Sequence, residues 1–190
     1  MFEMRFHGRG GQGGVTAAQI LATAAVLDGH YAHAFPFFMF ERRGAPVLAF
    51  MRIDDKPITI KTDVYNPDCI VVLDHTIPRY VNVAEGLKEG GIAILNTADP
   101  PEKVDLKVPL SRTGTVDATS IATSIFGPST IVITSTAMLG AFVATTHWVS
   151  LDSVIKAVGQ RFSGDVGERN IRAVKEAHEK TRVFERRLER

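Results

Sequence analysis

The sequence predicts an α/β fold: a single domain over residues 1–190, three-layer α/β/α, built on a mostly parallel but mixed sheet, with a helix-rich C-terminal half. Three observations carry this. The chain opens on a short strand, a glycine-rich turn and a helix. Strand-like and helix-like runs then alternate through the first half. From Ala118 onward helical runs dominate.

The opening segment, residues 1–7, is the first strand. Gly8, Arg9, Gly10, Gly11, Gln12, Gly13 and Gly14 follow, five glycines in seven residues, and then a helix over 15–28. Such a turn reaches positive φ and brings backbone N–H groups close to a ligand. The helix start adds unpaired N–H groups and the positive end of its dipole, a natural place for a phosphate or another anion. The alternative is that the glycines only allow close packing of helix on sheet. The spacing Gly8-x-Gly10-x-x-Gly13 also fits a dinucleotide fingerprint, which requires an acid about 20 residues on. Asp28 comes 15 residues after Gly13 and stands before Gly29, where the two read as a helix stop.

A second strand is expected at 30–35. Phe37, Phe38, Met39 and Phe40 then run into Glu41, Arg42, Arg43 and Gly44 with neither helical nor strand period. The aromatics suit a core; the adjacent arginines suit an interface or an anion site. Residues 47–53 and 58–61 read as a hairpin around Asp54-Asp55-Lys56-Pro57, which makes the sheet mixed. Residues 69–73 are an apolar run buried on both faces. Asp74 ends it, placed either for a ligand at the sheet's carboxyl edge or to cap a helix over 76–89. Strands follow at 92–95 and 104–110. Asp117 caps a helix over 118–126 that Gly127-Pro128 stops; a buried helix spans 131–149, and Ser150 opens a third. Residues 163–167 form a loop. Ile171, Val174, Ala177, Phe184 and Leu188 stripe the last helix, and 185–190 fray.

Composition excludes several classes. The chain holds 22 Lys+Arg against 21 Asp+Glu, a formal net charge of +1, so no nucleic-acid coat and no polybasic membrane patch is expected. Residues 118–151 lack Asp, Glu, Lys and Arg between Asp117 and Asp152, but Gly127-Pro128 and many hydroxyls divide them into two helices buried in protein rather than a membrane span. The N-terminus lacks a signal-peptide pattern. One cysteine, Cys69, holds neither a disulfide nor an iron–sulfur cluster and fits a reducing cytoplasm. Cys69 lies in a buried strand, which makes it inert. His7, His30, His33, His75, His147 and His178 are scattered, with no metal spacing. No catalytic set and no resident metal is expected: the chain carries a ligand-binding turn and reads as part of something larger.

The run Arg5-Phe6-His7-Gly8-Arg9-Gly10-Gly11-Gln12-Gly13-Gly14-Val15-Thr16-Ala17-Ala18 resembles the opening of the gamma subunit of 2-oxoacid:ferredoxin oxidoreductases, the pyruvate synthase type. Ala34-Phe35-Pro36-Phe37-Phe38 and Glu41-Arg42-Arg43-Gly44-Ala45-Pro46-Val47 are similar to its second signature, in the form of pyruvate- and branched-chain-type subunits. Val116-Asp117-Ala118-Thr119, Met138-Leu139-Gly140-Ala141 and Glu168-Arg169-Asn170-Ile171-Arg172-Ala173 are similar to later landmarks, so the resemblance spans nearly the whole chain. It implies a hetero-oligomer with alpha, beta and delta subunits. Those partners hold thiamine diphosphate and [4Fe–4S] clusters, and the assembly converts pyruvate, CoA and oxidised ferredoxin to acetyl-CoA, CO2 and reduced ferredoxin, reversibly. A 2-oxoisovalerate enzyme is the alternative within the family. The glycine turn is then expected near CoA, with Arg9, Arg42 or Arg43 available for charge-assisted contacts. Two other classes stay open: a free-standing dinucleotide-dependent oxidoreductase, and a non-catalytic module docking a partner through the arginine loop.

Overall fold

The computed structural model describes residues 1–37 and 46–186. Its elements are β1 (Phe2–Arg9), α1 (Gly14–Leu27), β2 (Tyr31–Pro36), β3 (Pro46–Asp54), β4 (Cys69–Val72), β5 (Gly91–Asn96), β6 (Leu110–Val116), α2 (Ala118–Phe126), α3 (Ser135–Thr146), α4 (Leu151–Arg161), α5 (Gly164–Lys180) and β7 (Arg182–Glu185). The strands form one sheet in the order β2-β3-β1-β4-β5-β6-β7. β1, β4, β5 and β6 run parallel; β3 lies antiparallel between β1 and β2, and β7 antiparallel beside β6. The chain leaves β1 toward one edge and returns to β4 on its other side. The carboxyl ends of β1 and β4 therefore flank the point where strand order reverses, the usual ligand crevice of such sheets.

Alternation along the strands sorts side chains between two cores. Met4 and Phe6 of β1, Ala49, Met51 and Ile53 of β3, and Cys69 and Val71 of β4 face the helices. α1 answers with Ala17, Ala18, Ile20, Leu21, Ala24 and Ala25, a helical stripe. α3 is buried nearly all round, as its apolar sequence requires. It crosses α5 at Gly140, where any Cβ would sit 2.1 Å from the Val174 carbonyl oxygen. Ile70, Val72, Ala93 and Leu95 face the other way, against Ile77, Val83, Ala84 and Leu87. That layer is made of two short 3-10 turns, Ile77–Arg79 and Pro101–Lys103, and irregular chain.

Several expectations are corrected here. Residues 58–61 form no strand: both sides of β3 are already taken by β1 and β2, so no edge is free. Instead Arg52, 1% exposed, donates to the carbonyls of Ile60 (3.4 Å) and Asp63 (3.3 Å) and holds that coil on the sheet. The sheet is mixed because β3 pairs with β2. No α-helix fills 76–89. Only the turn Ile77–Arg79 forms, and Arg5 takes the carbonyls of Val83 and Glu85 that a helix would need.

The sixth strand lies at Leu110–Val116, not 104–110. Pro109 lacks the N–H that a strand paired on both sides must supply; Val104, Leu106 and Val108 pack as coil on the second core. α3 begins at Ser135, after Thr134 has spent its hydroxyl on the Leu73 carbonyl (3.1 Å). α5 begins at Gly164, inside the expected loop, and ends at Lys180. Phe184 therefore lies on β7, which covers the open side of β6, and Glu185 belongs to that strand; Leu188 falls outside the described residues. No described helix is long and apolar enough to cross a membrane.

Candidate functional site

β1 ends at Arg9 and the chain turns through Gly10, Gly11, Gln12 and Gly13 into α1. Gly13 caps the helix at φ +83°, and a Cβ there would lie 2.8 Å from Ser135 Oγ. Only glycine satisfies both demands. No side chain caps α1, and its first helical bond runs from Ala17 N to Gly13 O (2.8 Å). The N–H groups of Gly14, Val15 and Thr16 precede that bond and face outward along the helix axis. Gly8 lies still within β1, and Gly14 is the first residue of α1.

Gln12 is 7% exposed and ties the turn. Its Oε1 accepts from Arg9 N (2.8 Å), its own N–H donates to Arg9 O (3.0 Å), and its Nε2 donates to Asp74 Oδ2 (2.7 Å). Arg9 pairs with the same carboxylate (Nε to Oδ2, 3.2 Å) and donates to the Thr76 hydroxyl (2.8 Å). Asp74 thus stands at the carboxyl end of β4, beside the turn. It caps no α-helix, but accepts from the N–H and hydroxyl of Thr76. Burial pushes its pKa up; hydrogen bonds from Thr76 and Gln12 and the charge of Arg9 outweigh that and hold it below the usual carboxylate range.

On the helical side the turn opens into a cleft of about 670 Å³. Its floor is Gly10, Gly11, Gly13 and Gly14. Its walls come from the ends of α2, α3, α4 and α5 and include Phe126, Ile131, Ile133, Phe162 and Val166. Ser135, 2% exposed, lines it, and its hydroxyl has no hydrogen-bond partner among the described residues. The size suits a small organic ligand or part of one, and the arrangement is amides and a hydroxyl at the base of apolar walls.

The glycine turn and Arg9 are therefore together at one cleft. Glu41, Arg42, Arg43 and Gly44 lie outside the described residues; of their flanks, Pro46 pairs with Arg9 and Val47 lines the cleft. Ser135, Ile133 and Arg161 escaped sequence reasoning, because they join the turn only through folding of a segment more than 100 residues away. Cys69 is fully buried, and burial followed by the charge of Asp68 pushes its thiol pKa up. Among the described residues no three His, Cys, Asp or Glu side chains cluster to hold a metal ion.

A dinucleotide site of this kind takes its acid from the end of the strand that follows the glycine turn's helix, paired in parallel with β1. Here β3 intervenes between β1 and β2, and Asp28 is spent elsewhere, accepting from Ser150 N (2.6 Å) and the hydroxyls of Ser150 and Ser153 at the start of α4.

Residues 3–180 match the family model described as pyruvate ferredoxin/flavodoxin oxidoreductase. The chain is 54% identical over 187 residues to the pyruvate/ketoisovalerate oxidoreductases common subunit gamma of Pyrococcus furiosus, covering 97% of this chain and 100% of that one. It is 52% identical over 178 residues to the pyruvate synthase subunit PorC of Methanocaldococcus jannaschii, covering 94% and 96%. The crystal structure of a pyruvate oxidoreductase subunit PORC (EC 1.2.7.1) from Thermotoga maritima superposes with a TM-score of 0.81 at 39% identity, covering 97% and 98%. With the glycine turn, the cleft and near full-length likeness in agreement, the chain belongs to the pyruvate ferredoxin/flavodoxin oxidoreductase family.

Proposed function

We propose that this chain is the gamma subunit of a multi-subunit, CoA-acylating 2-oxoacid:ferredoxin oxidoreductase, and that its glycine turn receives an anionic group of CoA where that substrate meets the partner-held chemistry. The carrying observation is the uncapped start of α1, with three N–H groups turned toward a cleft floored by glycines. CoA brings a diphosphate, the kind of group such a turn holds without needing side chains.

The partners in this reading are alpha, beta and delta subunits and, through them, ferredoxin. Thiamine diphosphate and the [4Fe–4S] clusters belong to those partners. The whole sequence has one cysteine, and that thiol is buried, so this chain does not fit a cluster. When bound to its partner, thiamine diphosphate supplies the carbanion chemistry on the 2-oxoacid. What this chain supplies is binding and orientation. The backbone amides of Gly14, Val15 and Thr16 neutralise charge, Gln12 holds the turn's shape, and Arg9, itself neutralised by Asp74, sets the electrostatic balance at the mouth. Pyruvate is the substrate of the relatives named for it alone; the relative named for pyruvate and ketoisovalerate together favours 2-oxoisovalerate as a second substrate through exchange of partners. The reading places the complex in the cytoplasm.

The test is Gly10→Val in the assembled complex. A branched side chain on the cleft floor blocks backbone approach while Gly13, the sterically constrained cap, stays native. The expected result is normal assembly with a Michaelis constant for CoA raised about tenfold, the scale of one charge-assisted contact. Normal assembly with an unchanged constant contradicts the CoA role.

A further inference from the structure

We infer that the rim of the cleft is a docking face for a different polypeptide of the complex, one that presents an apolar segment with a carboxylate beside it; this rests on the chain being a subunit, as proposed above. Phe126 at the end of α2 is 38% exposed, Ile133 just before α3 is 55% exposed, and Val166 in the first turn of α5 is 54% exposed. Single exposed apolar residues are ordinary. These three come from separate segments and line one cleft. α5 buries Gly167, Asn170, Ala173, Val174 and Ala177; Val166 continues that face into the first turn, where it is left exposed. A contiguous apolar rim of this kind marks an interaction surface.

Charge defines the occupant. Among the described residues the charged side chains lining the cleft are Arg9 and Arg161, with no carboxylate. Arg9 is engaged with Asp74 and Thr76. Arg161 lies over the ring of Phe162 at 5.8 Å and has no ion pair among the described residues. An arginine beside aromatic and aliphatic groups is the composition of an interface anchor, and its complement is an apolar segment carrying an acid. A second copy of this chain is the wrong partner. A two-fold contact would set the same patch against itself, Arg161 on both sides and no acid among the described lining residues to meet it. With a partner over the rim, the glycine turn is enclosed between two chains. The loss of water there strengthens the contacts its amides make with an anion.

The experiment co-expresses the subunits and measures how much partner is recovered on the tagged chain carrying Ile133→Asp, Val166→Asp, Arg161→Glu or, as a control, Tyr80→Asp. Tyr80 is 77% exposed and outside the cleft. All four sites are at the surface, and thermal melting of each isolated chain checks that it folds. The expected result is at least a tenfold fall in recovered partner for the two rim variants, a smaller fall for Arg161→Glu, and wild-type recovery for Tyr80→Asp. Wild-type recovery with the rim variants overturns the inference, as does an equal fall with Tyr80→Asp. Sedimentation of the isolated wild-type chain as a dimer that the rim variants dissolve overturns it in favour of a second copy. If the wild-type chain itself recovers no partner, the subunit reading fails and the docking face falls with it.

Discussion

Arg5 and His7 share the face of β1 that turns away from the α-helices, and they replace packing with hydrogen bonds. Arg5 Nε donates to His7 Nε2 (3.0 Å), so that nitrogen must be unprotonated, and the guanidinium also holds the chain at Val83 and Glu85. Burial, then the charge of Arg5, pushes the His7 pKa down to about 3. The unfolded chain binds this proton near pH 6.5 and the folded chain does not. The contribution to stability is therefore complete above pH 6.5 and is lost as pH falls toward 3. Between pH 7 and pH 5 the loss is about 2 kcal/mol. Denaturant midpoints at the two pH values measure it. His7→Gln, which keeps an acceptor but no titration, is expected to remove most of that slope; an unchanged slope contradicts the assignment. At the turn, Gln12→Glu exchanges the donor facing Asp74 for a second carboxylate. We expect a loss of about 1–3 kcal/mol, read from the same midpoints, and partial recovery in Gln12→Glu/Asp74→Asn if the two side chains act as a pair.

Elements show where sequence reading succeeds and where it stops. β4 and β5 were legible because strands buried on both faces are continuous apolar runs, and α2 because Asp117 and Gly127 punctuate it; Asp117 does accept from Ser120 N (2.9 Å). The failures share a cause: a distant partner outbid the local pattern. Arg5 unwound the expected helix at 76–89, Arg52 held 58–61 as coil, and the open side of β6 drew Phe184 out of a helix into β7. The site divides the same way. Five glycines in a row of seven announce the turn, and Asp74 was readable as a residue at a strand's carboxyl end. The link from Asp74 to Gln12 was not readable, nor was the helical wall behind the turn, since neither has a periodicity of its own. Packing between α3 and α5 is the element-scale feature most exposed to test. Gly140→Ala must push apart two closely packed helices where a methyl would meet the Val174 carbonyl, and is expected to cost about 1–3 kcal/mol, seen as a lower melting temperature. A melting temperature equal to wild type would mean the crossing is looser than described.

For the whole molecule, the layout puts the α-helices on one side of the sheet and the candidate site at one end. The helices pack on a single face of the sheet, the strand order reverses between β1 and β4, and the glycine turn, Asp74 and the cleft meet at that reversal. The chain belongs to a family of oxidoreductase subunits, so its activity is to be sought in the company of other chains. The direct measurement is 2-oxoacid- and CoA-dependent ferredoxin reduction by the partner subunits prepared without this chain, titrated with it. The account predicts no turnover by this chain alone and activity that rises with added chain to saturation. Turnover of a 2-oxoacid by the isolated chain, or full activity of the partners without it, would contradict the account.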